Sequence, residues 1–272
     1  LSAVVRRDGS TAFGPENKFG VFPSGSLGWV VSEEPFLADS DVISFLKIRS
    51  SYGILGNDRI PANRFVSALT GEAAYVFPYD PANEIIFGIA SGPIANPEIK
   101  WEKQKAFDIG FDLNLFKNRI DITADYFRRR TEDLLVQPQV SGLLGVSAPG
   151  AAAPFVNAGT VENKGLEFAI GYNDRIGDNF KFKVNYNITA IDNNVLSVSG
   201  GNSFLTAGGF GNASVPIARM EVGHSIGYFR GYKTDGLFQT QDEIDNHATM
   251  ANATFSPGDI KFVDINNDGE IN

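Results

Sequence analysis

The chain is dominated by alternation of apolar and polar positions. Between residues 180 and 190, Phe180, Phe182, Val184, Tyr186, Ile188 and Ala190 fall on one side of an extended segment, and Lys181, Lys183, Asn185, Asn187 and Thr189 fall on the other. Period two marks a β-strand, because successive side chains leave an extended backbone on opposite faces. In 106–115, Phe107, Ile109, Phe111, Leu113 and Leu115 oppose Ala106, Asp108, Gly110, Asp112 and Asn114. In 119–126, Ile120, Ile122, Ala124 and Tyr126 oppose Arg119, Asp121, Thr123 and Asp125. In 166–173, Leu166, Phe168, Ile170 and Tyr172 oppose Glu167, Ala169, Gly171 and Asn173, and in 45–52, Leu46, Ile48 and Tyr52 oppose Phe45, Lys47, Arg49 and Ser51. Segments 1–8 and 18–32 are weaker; in the second, Leu27, Trp29 and Val31 carry the apolar face. These segments predict roughly seven strands.

The connections differ in length in a regular order. Lys117-Asn118 is a tight turn and 174–179 is short, whereas 53–98, 132–162 and 192–218 are long and rich in Gly, Pro, Asn and Ser. The link from Ser32 to Ser44 is moderate and long enough for one helical turn, and 9–17 is the shorter exception among the long-side links. In an antiparallel meander alternate connections lie at opposite ends, so short and long connections sort to two ends. A transmembrane β-barrel has that asymmetry; a β-sandwich has no reason to sort its turns by end. The apolar face would then meet lipid, and Asp108, Asp112, Asp121, Asp125, Glu167, Lys181 and Lys183 would line a lumen. Trp29 sits towards the short-turn end, and Trp101 and Tyr126 towards the long-loop end, where an amphipathic ring suits a membrane interface.

Composition narrows the alternatives. There is no cysteine, which removes disulfides, thiolate metal sites and thiol nucleophiles. The net charge of −9 argues against nucleic acid as a partner, and Arg128-Arg129-Arg130, the one basic cluster, reads as a strand end at a membrane boundary. No apolar run reaches the ~18 residues of a membrane helix. The chain opens on Leu1-Ser2-Ala3-Val4-Val5 with no leader pattern, so we expect a fragment of a larger protein, with 1–272 forming part of one barrel domain.

Residues Arg6 to Trp29 run R-R-D-G-S-T-A-F-G-P-E-N-K-F-G-V-F-P-S-G-S-L-G-W, followed by Ser32-Glu33-Glu34-Pro35-Phe36. Further on come Leu46-Lys47-Ile48-Arg49-Ser50-Ser51-Tyr52-Gly53, Asn96-Pro97-Glu98-Ile99-Lys100-Trp101-Glu102, Asp125-Tyr126-Phe127, Asn157 to Glu167 (N-A-G-T-V-E-N-K-G-L-E), and Pro257 to Gly269 (P-G-D-I-K-F-V-D-I-N-N-D-G). This run resembles SusC/RagA-type TonB-dependent transporters, in the same order over nearly the whole chain. The resemblance implies an all-β antiparallel transmembrane barrel of about twenty-two strands with long extracellular loops, of which this chain supplies about seven. It also implies an outer-membrane location in a Gram-negative bacterium of the Bacteroidota, import of oligosaccharide or peptide cargo, a SusD-like surface lipoprotein as partner, and energy from the TonB complex through a plug that this chain does not contain. No catalytic activity and no required cofactor are implied. A siderophore or cofactor receptor barrel is the alternative, with a soluble β-sandwich adhesion module behind it.

Three groups of residues are candidates for binding or chemistry. Asp264, Asn266 and Asp268, with Gly269 and the backbone carbonyl of Glu270, follow the start of a calcium loop, in which oxygens at alternate positions converge on one ion. The chain ends before the position at which a bidentate carboxylate would complete that set; the competing reading is an Asx-type surface turn. Loop aromatics Tyr75, Phe77, Tyr79, Phe155, Phe204 and Phe210 could stack on cargo or pack on the partner lipoprotein. His224 and His247 are the two histidines; His247 follows Asp242, Glu243 and Asp245 but reads as a solvated residue, because no serine nucleophile elbow accompanies it. The same-face carboxylates Asp108 and Asp112 carry no glycosidase argument, since strand spacing makes such pairs common.

Overall fold

The computed structural model describes residues 1–69, 73–76, 85–138, 140–144, 151–177, 179–198, 204–210 and 215–271. Seven strands form one antiparallel sheet: β1 (Ser2–Gly9), β2 (Phe19–Val30), β3 (Ile43–Asn57), β4 (Glu102–Leu115), β5 (Ile120–Glu132), β6 (Thr160–Ile176) and β7 (Phe180–Ser197). Each pairs with the next in chain order, so the sheet is a simple meander with β1 and β7 at its edges.

The register carries the alternation across the whole sheet. Trp29, Ile48, Phe111, Ala124, Phe168 and Ile188 are successive cross-strand partners, and one residue along, Gly28, Arg49, Gly110, Asp125, Glu167 and Thr189 form the next row on the opposite face. A slip of one residue in any pairing would exchange the two faces. The apolar face is bare: Trp29, Ile109, Leu166, Val184, Tyr186 and Ile188 are exposed. No second sheet packs on it among the described residues, in contrast to the two facing sheets of a β-sandwich.

Most strands are longer than the alternation suggests, chiefly towards the long-loop end. Strand β3 continues to Asn57, β4 begins at Glu102, β5 runs to Glu132, β6 begins at Thr160 and β7 runs to Ser197. In the β4 extension and, past Phe127, that of β5, both faces turn polar while the hydrogen-bond ladder continues. In those of β3, β6 and β7 apolar residues (Leu55, Val161, Ile191, Val195) fall on the formerly polar face, so the contrast that reveals a strand disappears before the strand does. The turn at 174–179 is shorter than its sequence suggests, because Asp174, Arg175 and Ile176 pair with Phe182, Lys181 and Phe180. Phe116, Lys117 and Asn118 all adopt positive φ in the tight turn. The link after β2 holds a single 3-10 turn, Val31–Glu33. Two long links contain short hairpins, 73–76 with 85–88 and 135–136 with 156–157.

Buried apolar residues gather at the long-loop end instead of along the sheet. Ala12, Phe13, Phe22, Ile99 and Trp101 form one cluster, joined by Ile54, Ile60, Phe65, Leu135 and Phe155. The Trp101 ring centre lies 5.1 Å from that of Phe13 and 5.3 Å from that of Phe22. The β2–β3 ladder ends at Ser24↔Gly53, and beyond it the Phe22 ring covers Gly20 and Gly56, where a Cβ on either would overlap the ring. Trp101 is therefore 7% exposed inside a loop core, not an interfacial residue. Val161, Val195 and Met220 form a second small cluster.

The chain divides into two compact units, Leu1–Ala207 with Arg219–Tyr228, and Gly208–Ala218 with Phe229–Asn272. In the second unit, Thr234–Leu237 pairs antiparallel with Ile260–Phe262, and Thr249–Met250 lies parallel to Glu270–Ile271. The one-turn helix Gln241–Asp245 is capped by Thr240, whose hydroxyl accepts from the Glu243 amide. Phe238 is fully buried against His247 and Phe255, and Phe255 meets Phe262. His247 is part of this aromatic core, with Nε2 2.7 Å from the Phe262 carbonyl, and not a solvated loop residue.

Candidate functional site: the charged face and the loops above it

The polar face of the sheet is a network of cross-strand ion pairs. Arg49 on β3 holds Asp112 on β4 at 3.1 Å and both oxygens of Asp125 on β5 at 2.7 and 2.8 Å. The span from β3 to β5 is open because the position between them is Gly110: a Cβ there would overlap Asp125 Oδ1 and stand 2.6 Å from the Ala124 carbonyl. Thr123 donates to Asp112 at 3.3 Å. The arrangement repeats towards the short-turn end, where Asp121 lies over Gly171, accepts from Asn173 at 2.9 Å and faces Lys183 at 4.0 Å. Arg129 lies 3.9 Å from Asp108 on the same face. Beside this network runs a trough of small polar side chains, Ser2, Ser24, Ser26 and Ser51, with Gly53 and Ala106.

Above the polar face the long connections are tied to strand ends by buried or half-buried polar groups. Glu102 accepts from the Asn57 side chain and from the Leu135 amide, both at 2.9 Å. Asn157 donates to the carbonyls of Lys100 and Asp133 and accepts from the Lys100 amide. Asn96 donates to the Phe155 carbonyl at 2.8 Å and accepts from the Glu98 amide. Asn96 and Asn157, visible in the sequence as motif residues, thus act as side-chain staples between connections far apart in the chain.

A family model described as TonB dependent receptor-like, beta-barrel matches residues 1–265. The chain belongs to that family. Among curated proteins it is similar to TonB-dependent receptor P3 of Formosa agariphila, 32% identical over 98% of this chain and 26% of the relative. It is also similar to TonB-dependent receptor SusC of Bacteroides thetaiotaomicron, 28% identical over 98% of this chain and 25% of that protein. Among solved structures, the RagAB peptide importer in its closed-closed state superposes with a TM-score of 0.74, at 19% identity, over 96% of this chain and 26% of that one. The chain spans about a quarter of the length of the curated relatives it matches.

In a TonB-dependent receptor barrel the bare apolar face is the lipid face, and the ion-paired face looks into the lumen. On β7 the outward run from Phe180 to Ala190 advances about 33 Å along the strand, which a tilt of about 40° reduces to about 25 Å of membrane thickness. Trp29, half exposed, donates its indole N–H to Glu34 at 2.9 Å at the short-turn end, as an interfacial ring with one polar edge should.

The candidate loop aromatics fall in different places. Phe155 packs on the Phe13–Trp101 cluster beneath the Arg64 guanidinium. Phe204 lies under Arg219, whose guanidinium carbon is 4.0 Å from the ring centre. Tyr75 and Phe210 belong to the strands Ala73–Val76 and Phe204–Phe210, whereas Phe77 and Tyr79 lie outside the described residues. His224 stacks on Tyr228 at 4.5 Å, and the Tyr228 hydroxyl donates to Glu221, which pushes that phenol above its ordinary range. The His224 ring is thus taken up by stacking, and that of His247 by Phe238 and the Phe262 carbonyl, while the neighbouring Ser225 hydroxyl donates to the Asn193 carbonyl.

The Asp264–Glu270 segment is a self-capped turn. Asp264 accepts from the amides of Asn267 and Gly269, both at 2.8 Å, and Asn266 and Asp268 accept from the amides two residues on. The Asn266 side-chain amide donates to Asp268 at 2.7 Å. Asn267 and Gly269 take the positive φ that closes the turn. Asp264, Asn266 and Asp268 so lie around one tight turn, with their oxygens turned towards its backbone.

Proposed function

We propose that this chain is an arc of the wall of an outer-membrane importer that draws oligosaccharides or peptides through its lumen, with a SusD-like lipoprotein on the cell surface and TonB supplying the energy. The observation that carries the proposal is the sorting of the sheet: one face bare and apolar, the other charged and cross-linked by Arg49, Asp112 and Asp125. A sheet of that kind holds its shape in lipid while presenting fixed polar groups to a water-filled path. The likeness to the RagAB peptide importer supports the peptide side of the proposal, and the motif run from Arg6 to Gly269 supports the SusC/RagA type of importer, whose cargo is oligosaccharide or peptide. The wall has no catalytic role in this scheme. Loop aromatics such as Phe155 and Phe204 would act by shaping the external mouth.

Deleting the gene and comparing growth on a panel of glycans and on peptides as sole nitrogen source tests the proposal. We expect a defect confined to one class, restored by the full-length gene. Normal growth on both classes, with a defect only under iron or cofactor limitation, would replace it with a siderophore or cofactor receptor.

We also propose calcium as a ligand of Asp264, Asn266, Asp268 and the Glu270 carbonyl, where an ion would compete with the backbone amides for the same oxygens. Calorimetry on the full-length protein should show calcium heat that Asp264→Asn abolishes; absence of heat in the parent protein removes calcium from the account.

A further inference from the structure

On the lipid side, β5, β6 and β7 change character in one cross-strand row, and β4 changes one outward position later. The outward apolar run ends at Phe107 on β4, Tyr126 on β5, Leu166 on β6 and Ala190 on β7. The next outward positions are Lys105 on β4, Arg128 on β5, Lys164 on β6 and Asp192 on β7, and beyond them come Lys103 and Arg130. Two of the three arginines of the sequence cluster therefore face outward, just past the apolar band at the long-loop end, while Arg129 faces the lumen.

We propose that Lys103, Lys105, Arg128, Arg130 and Lys164 form a binding site for the phosphate groups of lipid in the outer leaflet. The proposal rests on the membrane placement of the barrel and not on its cargo. Three observations support it. First, the cations are accessible: the side chains of Arg128 and Lys164 are about half exposed, and Lys103 is exposed. Second, the local charge does not cancel. Five cations face three outward carboxylates, Glu132, Glu162 and Asp192. Arg128 pairs with Glu162 and Lys164 with Asp192, but Lys105 and Arg130 share Glu132, and Lys103 is in no ion pair among the described residues. In a chain of net charge −9 this excess is placed, not compositional. Third, the patch is local. At the same level β3 offers the exposed Tyr52, and then Ile54 and Gly56, which lie against the Phe22–Trp101 cluster, so the cations are not a uniform belt.

Chemistry selects phosphate. The guanidinium forks of Arg128 and Arg130 match phosphate oxygens in pairs, and the lysines add compact point charges. A cation at the headgroup level gains this attraction without entering hydrocarbon. Lipid-borne phosphate is favoured over free phosphate because the flanking Phe107, Tyr126 and Leu166 would hold the acyl chains at the same place.

The test uses full-length protein reconstituted in bilayers containing lipid A, in its bis-phosphorylated or its dephosphorylated form. Lipid A retained through detergent exchange is counted by native mass spectrometry. Variants are Lys103→Gln, Arg128→Gln, Lys164→Gln and their combination, with Lys233→Gln in the second unit as control; folding is checked by heat-modifiable mobility. We expect phosphorylated lipid A to be retained by the parent and the control, with retention about fivefold weaker for each cation removed. Dephosphorylated lipid A should be lost from all, and inorganic phosphate in solution should not displace the bound lipid. Equal retention by parent and combined variant overturns the proposal, as does equal retention of both lipid forms. Displacement by inorganic phosphate overturns the assignment to lipid. If the parent takes up no lipid of any kind, the membrane placement itself fails, which is a different result.

Discussion

The two faces of the wall are made from the same strands at the same register, yet they carry different amounts of information. On the lipid face Ile48, Phe111, Ala124, Phe168 and Ile188 share a row, and any apolar side chain would serve at each place. On the lumenal face, one residue along, Arg49, Gly110 and Asp125 fit only as a set, because the bridge crosses a position that must lack a side chain. The lipid face is specified by class of residue, the lumenal face by identity. That difference is open to attack from either side.

The sharpest attack puts a charge at equal depth on each face. Phe111→Arg sits near the middle of the apolar run from Phe107 to Leu115, and it should destabilise the full-length barrel by about 2–4 kcal/mol. Ala169→Arg, on the lumenal side between Thr123 and Asn187, should stay within about 0.5 kcal/mol of the parent. Urea unfolding from lipid vesicles measures both. Similar losses for the two would mean that the faces have been assigned to the wrong media.

Much of this wall is legible in the sequence, because period-two alternation reports both the strand and its faces. What escapes is whatever depends on partners far along the chain. Gly110 and Gly171 can be placed on the polar face from sequence, but only the register shows that each lies beneath a carboxylate, Asp125 or Asp121. The strand extensions towards Glu102 and, past Phe127, towards Glu132 are hidden because both of their faces are polar, and that towards Ser197 because Ile191 and Val195 fall on the face that was polar before. Trp101 reads as an interfacial ring, and it is buried because the links after β1 and β3 bring Phe13 and Phe65 onto it, a contact that no local pattern records. His247 reads as solvated for the same reason, its partners Phe238 and Phe262 belonging to other segments.

The second attack isolates the missing side chain. Gly110→Ala adds one Cβ into Asp125 and the Ala124 carbonyl and should cost about 1–3 kcal/mol in the same unfolding assay. Gly28→Ala, in the same cross-strand row, meets only the flexible end of Lys47, with Cε at 3.2 Å, and should be nearly silent. If the two cost the same, identity on the lumenal face is set by general packing and not by the Arg49 bridge.

The third addresses the bridge itself. Arg49→Met leaves Asp112 and Asp125 facing one another without their shared cation, and should cost about 1 kcal/mol at this half-exposed site. Adding Asp125→Asn should return part of that loss, because one of the two like charges is gone. A second substitution that costs more instead of less would show that Asp125 is held chiefly by partners other than Arg49.

The smallest effect separates the two tryptophans, which the sequence places at opposite ends of the wall. Trp29→Phe keeps the ring and removes the N–H donated to Glu34, so stability should fall by only about 0.5–1 kcal/mol. Its spectroscopic consequence is larger. Trp29 is 48% exposed on the lipid face, whereas Trp101 is 7% exposed among Phe13, Phe22 and Ile99. In vesicles of lipid brominated near the headgroup, the quenched part of the fluorescence should shrink in Trp29→Phe and persist in Trp101→Phe. The reverse result would put the cluster around Phe22 against lipid and the Glu34 edge in water. The faces would then exchange at the point where the β2–β3 ladder stops, between Phe22 and Ser24.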